Sequence, residues 1–387
     1  MRDNKSAPTI FISAGEASGD LHGAHLVKSL RVLAPQARLF GMGGRQMAEA
    51  GVELIAHISD MAVVGLTEVA SHLKAILSTM RRVRREIRRR RPDLVILIDY
   101  PDFHLPLARY AKRAGLKVMY YISPQVWAWR KGRIRSIRKW VDHMVVILPF
   151  EETLYRSAGV KCTFVGHPLL DLVRPDGTQE EAKDTLNLKG AFPVIALLPG
   201  SREKEVERLL PIMLEASGRL KQHYPTASFV IPCAETLNQS KVEEMTRPYK
   251  EDLTLVPGRL IYHVLAASDF AIVASGTATL ESALMGVPMC IVYRLSRLTY
   301  LIGRLVVRVR NIGLVNIIAE KNLVPELIQG KCTPAGISET VKTILDDPAK
   351  VREIREGLKT IRERLGRGGA AKKAAALALE MIGHGNI

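Results

Sequence analysis

Four cysteines in 387 residues, Cys162, Cys233, Cys290 and Cys332, are too few and too scattered for a disulfide or zinc framework. Aromatic residues make up only 5% of the chain, which weakens any case for stacking on nucleobases. No run approaches the roughly 18 uninterrupted apolar residues of a membrane-spanning helix. The opening MRDNKSAPT lacks the apolar core of a signal peptide, so a cytoplasmic protein is expected. Acidic residues are also scarce: 39 against 56 basic ones, a net charge of +17. Such an excess favours anionic partners, whether phosphates, nucleic acid or an anionic membrane surface. Disorder is excluded by a hydrophobic content of 47%, and the length predicts two domains.

The stretch VIALLPGSR, Val194–Arg202, has an apolar run that stops at a tight turn, with a helix-like segment from about Glu203. A buried parallel strand feeding a helix N-terminus reads this way, and the unpaired amides there favour an anion. Gly200 admits close approach to the backbone, Ser201 offers a hydroxyl, and Arg202 a bidentate fork. An ordinary strand-to-helix connection is the plainer alternative. A second turn of similar design tips the balance: strand Phe270–Ala274 ends in SGTATLE, Ser275–Glu281. Ser275, Gly276 and Thr277 stand at its helix start, and Glu281 could grip a ribose diol or merely pair with the helix dipole. Two such turns in one half predict a single nucleotide across the carboxyl edge of a sheet. The lysine of a P-loop is missing from both, which disfavours NTP hydrolysis.

The N-terminal half alternates in the same way. Strand Thr9–Ala14 leads into GEASGD, Gly15–Asp20, with a helix from about Leu21 to Leu33. Only two glycines are present, so the dinucleotide fingerprint is absent. The carboxylates of Glu16 and Asp20 would repel phosphate. This loop, with Gly15, Glu16, Ser18, Gly19 and Asp20, is therefore expected to line an acceptor or sugar cleft. Asp20, His22 and His25 lie close in sequence, but no further ligand cluster supports a metal there. Strand Leu94–Ile98 delivers Asp99, Asp102 and His104 at its carboxyl edge, the best acid–base group of this half. Asp99 is the rigidly held member; Asp102 reads as the cap of the following helix. The turn SPQVWAWR, Ser123–Arg130, could be packing or the wall of a sugar cleft.

Between these elements, Leu73, Ile76, Leu77, Met80, Val83 and Ile87 form a helical stripe, and Arg81–Arg91 covers the other faces. A solvated helix face is one reading. The other is a membrane-surface element, with Val63, Val64 and Leu66 on acyl chains and Arg81, Arg85 and Arg88 near anionic headgroups. No nucleic-acid motif accompanies the charge, so nucleic acid is not expected as a partner. Polar Asp171–Lys189 marks the passage between domains of residues 1–170 and 171–364, and a last helix lies within about 365–387. The fold class is α/β: two Rossmann-like domains with parallel sheets facing a central cleft, the GT-B plan.

The motifs SAGEASGD (Ser13–Asp20), IDYPDF (Ile98–Phe103), SPQVWAWR, LPFE (Leu148–Glu151), VGHP (Val165–Pro168), LLPGSR and ASGTATLE span nearly the whole chain in order. In them the chain resembles the lipid-A-disaccharide synthases. The resemblance implies transfer of acylated glucosamine from UDP-2,3-diacylglucosamine to the 6-hydroxyl of 2,3-diacylglucosamine 1-phosphate (lipid X). The product is a β(1→6) disaccharide, formed with inversion and release of UDP. It maps the catalytic aspartate onto Asp99, the diphosphate-binding arginine onto Arg202, the ribose-side carboxylate onto Glu281 and a nucleotide-side asparagine onto Asn316. Family members commonly carry Leu-Pro-Asn where this chain has Leu314-Val315-Asn316. It implies no metal or other cofactor. It also implies peripheral attachment to the inner face of a Gram-negative cytoplasmic membrane, and a homodimer whose tail folds back on the first domain or exchanges between subunits. Another UDP-sugar enzyme of the same fold and a basic scaffold protein are the rival readings.

Overall fold

Ile10, Phe11 and Ile12, and the whole run Leu94–Ile98, have no exposed surface. Strands apolar on both faces are what a parallel sheet covered by helices on each side requires. In the computed structural model, which describes residues 7–61, 69–127, 132–173, 177–296 and 311–384, these runs are central strands of the first of two sheets. The chain divides into two units: Met1–Pro168 together with Gly366–Ile387, and Leu169–Leu365.

In the first unit the strands are β1 (Thr9–Ala14), β2 (Arg38–Gly43), β3 (Glu53–His57), β4 (Leu94–Ile98), β5 (Lys117–Tyr121), β6 (His143–Val146) and β7 (Cys162–Phe164). They pair in the order β3-β2-β1-β4-β5-β6-β7, all parallel. The helices between them are α1 (Ala17–Leu33), α2 (Arg45–Glu49), α3 (Val69–Arg90), α4 (Pro101–Arg113), α5 (Arg133–Trp140) and α6 (Pro149–Ser157). One core holds Phe11, Phe40, Val83, Ile87, Val95 and Tyr120.

The second unit opens with α7 (Leu169–Leu172) and α8 (Gln179–Thr185), followed by β8 (Val194–Leu198), α9 (Glu203–His223), β9 (Ser228–Cys233), α10 (Gln239–Thr246), β10 (Leu253–Pro257), α11 (Ile261–Ala267), β11 (Phe270–Ala274), α12 (Thr277–Leu284) and β12 (Met289–Tyr293). It ends with α13 (Leu314–Ala319), β13 (Glu326–Ile328), α14 (Pro334–Leu345) and α15 (Pro348–Arg364). Its sheet runs β10-β9-β8-β11-β12-β13, again parallel. The last helix, α16 (Ala370–Met381), belongs to the first unit and packs on α1. Its buried face is Ala370, Ala374, Ala375, Ala378 and Leu379, and the four small alanine side chains let two helices approach closely.

Three local expectations need correction. Helix α1 begins at Ala17, not near Leu21, so Ser18, Gly19 and Asp20 lie in its first turn rather than in a loop. A Cβ at Gly19 would come within 3.2 Å of that of Ala14, so the glycine permits tight packing of helix on strand. The polar stretch Asp171–Lys189 is not merely a connection. Thr178 and Glu181 form a reciprocal capping box that starts α8. Leu77, placed in the apolar stripe of α3, is 45% exposed, while Met80, Val83 and Ile87 are buried.

Candidate active site

In each sheet, strand order reverses at one place, and crevices at the carboxyl ends of strands open there. In the first sheet the reversal lies between β1 and β4, with Ala14 opposite Ile98. The loops after these two strands carry Gly15-Glu16 and Asp99-Tyr100, so two motifs 84 residues apart become neighbours. Their contact is intimate: a Cβ at Gly15 would sit 2.2 Å from the ring of Tyr100. Only glycine fits under that ring.

Asp99 and Tyr100 both have φ of 47°, the left-handed region that costs non-glycine residues about 1–2 kcal/mol. The carbonyl oxygen of Asp99 is held from two sides. It accepts the Tyr120 hydroxyl at 2.6 Å and the Nδ1–H of His104 at 2.7 Å. The carboxyl group itself is half-buried. Burial, with the nearby charge of Glu16 as the second cause, lifts its pKa to about 6, against a lowering from the Tyr100 amide. A carboxylate so tuned is a better base than a free one and is still mostly ionised at neutral pH.

Around it, several expected roles change. The Asp20 carboxylate is buried and accepts the amides of Gly44, Gln46 and Met47, at 2.7, 3.1 and 3.1 Å. It fastens the start of α2, a buried structural tie rather than a carboxylate lining an open cleft. Asp102 is no cap: Tyr100 occupies the N-cap position, and Asp102 in the first turn pairs with Arg133. Glu16 and Ser18 are exposed, Glu16 at the N-cap of α1. Glu151 ends the LPFE motif, but the sequence alone assigned it no role. Its carboxyl group is buried, accepts the Trp127 indole N–H at 3.2 Å and the Leu148 amide at 3.3 Å, and is lifted by burial to about 8. The charge of Asp99 also raises it, which places the two groups within electrostatic reach.

The second sheet reverses between β8 and β11. The turns Pro199–Arg202 and Ser275–Thr277 follow those strands and line one cavity of about 580 Å³. Gly200, Ser201, Arg202, Ser275, Gly276, Thr277 and Glu281 all reach it. Gly200 has φ of +108°, and a Cβ there would meet the Glu205 carboxylate at 2.8 Å. Arg202 is the N-cap residue of α9; its side chain is 79% exposed and pairs with Glu205 at 3.3 Å. Glu281 lies beyond the first turn of α12, so pairing with the helix dipole is not its role. Its carboxylate accepts the Tyr262 hydroxyl at 3.1 Å, and burial raises its pKa. Arg259, from the turn after β10, also lines the cavity. The Gly258-Arg259 pair after an apolar run was its only sequence signal.

Asn316 departs from its expected role. It is wholly buried; its Oδ1 accepts the Val324 amide at 3.0 Å. Its Nδ2 donates to the Val324 carbonyl and the Glu326 carboxylate, both at 2.8 Å. Every hydrogen-bonding group of the side chain is satisfied internally, so it ties α13 to the chain around Val324 and Glu326 instead of reaching a ligand.

Val63, Val64 and Leu66 lie outside the described residues, as do Trp129 and Arg130. Arg81, Arg85 and Arg88 are exposed on α3. Among the described residues, no group of three or more metal-binding side chains is assembled, and no helix is long and apolar enough to cross a membrane.

Comparison with known proteins follows the same lines. A curated protein from Syntrophus aciditrophicus called lipid-A-disaccharide synthase is 50% identical over 96% of this chain and 97% of its own. One of the same name from Geobacter sulfurreducens is 46% identical over 99% of each. Among solved structures, a putative UDP-N-acetylglucosamine 2-epimerase from Listeria monocytogenes superposes with a TM-score of 0.68 at 14% identity, covering 98% of both chains. The calicheamicin glycosyltransferase CalG4 gives 0.62 at 15% identity, over 98% of this chain and 99% of that one. At such identities the likeness is one of fold: two parallel-sheet Rossmann-like units of the GT-B kind. With the lipid-A-disaccharide synthetase family model matching residues 10–381, the chain belongs to that family of hexosyltransferases, which serve lipid A disaccharide biosynthesis.

Proposed function

We propose that the protein joins UDP-2,3-diacylglucosamine to 2,3-diacylglucosamine 1-phosphate by direct displacement, with Asp99 as the base. The acceptor O6 attacks the anomeric carbon, and its proton passes to the Asp99 carboxylate. The bond from that carbon to the diphosphate oxygen breaks, UDP leaves, and the α-linked donor becomes a β(1→6) linkage. Asp99 carries this reading: a carboxylate fixed by its backbone at a strand-order reversal, with a pKa near 6. The cavity of the second unit would take UDP, the amides after Gly200 and Gly276 meeting phosphate together with Ser201, Ser275 and Thr277. Arg202 would neutralise the charge that builds on the diphosphate. Glu281 would face the ribose. In this reading residues 1–170 bind the acceptor, with Gly15, Glu16, Ser18 and Gly19 beside Asp99, and residues 171–364 bind the donor.

The same reading makes the protein peripheral on an anionic inner-membrane surface, through Val63, Val64 and Leu66 with Arg81, Arg85 and Arg88, and a homodimer. No cofactor takes part.

Release of UDP from acylated and non-acylated donors tests the reaction. Turnover of the diacyl donor is expected to exceed that of UDP-N-acetylglucosamine by orders of magnitude; equal turnover overturns the diacyl assignment. Asp99→Ala should abolish turnover in a folded protein, and full activity in that variant removes Asp99 as base. Arg202→Ala should raise the donor KM and lower kcat, together about 2–4 kcal/mol of transition-state stabilisation.

A further inference from the structure

A second concave site lies on the first unit, among helices α3, α4 and α5, with a volume of about 600 Å³. Four arginines line it, Arg84, Arg109, Arg113 and Arg133, against the single carboxylate of Asp102, which pairs with Arg133. The excess is therefore three positive charges, four less one. Aromatic faces gather this charge. Arg109 and Arg113 each stand 5.7 Å from the centre of the Trp140 ring, and the Lys139 ammonium stands 4.9 Å from it. Arg84 lies 5.2 Å over Tyr110. Its Nε is buried and finds no hydrogen-bond partner among the described residues.

Three cations on one indole repel one another, and a buried guanidinium N–H without an acceptor is destabilising. Both costs fall when an anion enters. A guanidinium whose face rests on a ring keeps its in-plane N–H fork, the geometry that matches phosphate oxygens. Leu105 and Pro106 add an apolar wall. On α3 the charge continues onto exposed Arg81, Arg85 and Arg88. The groove also contains Pro101 and Asp102, the first turn of the helix that follows Asp99 and Tyr100.

We infer that the groove between α3, α4 and α5 binds the phosphate group of a lipid, with Arg84, Arg109 and Arg113 as its donors and Trp140 as its floor. Two lipids present that chemistry: an anionic phospholipid of the membrane surface, and the phosphate-bearing acceptor. Both rest on the proposed function, the acceptor alternative on its reaction and the phospholipid alternative on its membrane surface.

Arg109→Ala/Arg113→Ala, with Arg109→Lys/Arg113→Lys as the charge-preserving control, separates the alternatives in the full-length protein. One arm measures binding to phosphatidylglycerol and phosphatidylcholine vesicles in the absence of substrate. The other measures the acceptor KM in detergent micelles, with wild-type turnover as its reference. The expected result is a loss of phosphatidylglycerol binding by about 30-fold in the alanine pair. The lysine pair should recover only part of it, because charge returns without the fork. A raised acceptor KM with unchanged vesicle binding supports the substrate phosphate instead, and losses in both arms support one site serving both. Unchanged vesicle binding and unchanged KM, in an alanine pair whose thermal unfolding matches wild type, overturn the inference. If wild-type protein shows no turnover, the proposed reaction fails while the vesicle arm still reads the groove. Should the alanine pair unfold, Trp140→Phe with the vesicle arm replaces it; phosphatidylglycerol binding is expected to weaken, and undiminished binding overturns the inference.

Discussion

The Nδ1 atom of His104 lies 2.7 Å from the carbonyl oxygen of Asp99. A carbonyl oxygen only accepts, so Nδ1 carries the proton and Nε2 is left as an acceptor. Ser13 then donates its hydroxyl to Nε2 at 2.8 Å. The imidazole thus ties β1 to the loop after β4, and with the Tyr120 hydroxyl it holds Asp99 in its left-handed conformation. Burial lowers the His104 pKa to about 4, which keeps the ring neutral and this arrangement intact at neutral pH.

His104→Ala should leave the Ser13 hydroxyl without its partner and the Asp99 carbonyl with one donor fewer. A stability loss of about 1–3 kcal/mol is expected. The Asp99 carboxylate should drift, and kcat should fall by about 10–100-fold, because small misplacements of a reacting group are costly. The donor KM should change little, since His104 lies on α4 of the first unit and the candidate donor cavity is lined by residues of the second. His104→Gln, which can both donate and accept, should restore part of kcat. Equal losses in kcat for both variants, matched by equal losses in stability, would reduce His104 to a packing residue.

The acid side of the rate profile follows from Asp99 and Glu16. As base, Asp99 works only when ionised, so kcat/KM should fall as pH drops below about 6. The neighbouring charge of Glu16 is one of the causes that raise this value. Glu16→Gln removes it, and the acid limb should move to lower pH. A limb that stays in place, or moves upward, contradicts the electrostatic link between the two loops.

Buried titratable groups pull stability in opposite directions with pH. His22 and His104 are lowered to about 4 and His167 to about 3, each chiefly by burial. Unfolded, they take up protons near pH 6.5; folded, they do so only near 3–4. Their contribution is therefore complete above 6.5 and lost as pH falls toward 4. Glu151 runs the other way. Its folded value is about 8 against 4.5. Its contribution is complete below 4.5 and lost as pH rises through 8. Glu151→Gln should flatten the decline in Tm between about pH 6.5 and 8, where the histidine contributions are already complete, whatever it does to Tm itself. An unchanged slope would mean that Glu151 is ionised in the folded protein.

Much of this was legible in the chain because buried parallel strands are continuous apolar runs. Leu94–Ile98, Val194–Leu198 and Phe270–Ala274 declare themselves, and so do the glycines and polar residues that follow. Short edge strands do not. Glu53–His57 and Glu326–Ile328 are too brief and too polar to stand out, and Cys162–Phe164 has only three residues. Nor does sequence order say that β1 lies beside β4, or β8 beside β11, and those two adjacencies bring the motifs together. What a side chain is already bonded to is the hardest to read. Asp20 looks like a cleft carboxylate until three backbone amides are found on it, and Glu151 looks like an ordinary first-turn acid until its burial is seen.

Asn316 offers the sharpest separation of a structural from a ligand-binding role. Its three internal hydrogen bonds join α13 to the segment before β13, and Glu326 extends the network to the amides of Ile312 and Gly313, at 2.9 and 3.0 Å. The Ile312 carbonyl in turn accepts the Ser275 hydroxyl at 3.1 Å, so the loop leans on the second phosphate-type turn. Asn316→Ala strands the Val324 amide and carbonyl in a dry interior. The variant should lose about 2–4 kcal/mol of stability, read as a lowered Tm or denaturation midpoint. Where it remains folded, its KM for the UDP-sugar should stay within about twofold of wild type, because no atom of Asn316 is free to touch the nucleotide. Asn316→Asp should be as damaging, since a carboxylate cannot donate to either the Val324 carbonyl or Glu326, and it adds a buried negative charge beside that of half-buried Glu326. An unchanged Tm with a raised donor KM would instead return Asn316 to the nucleotide site.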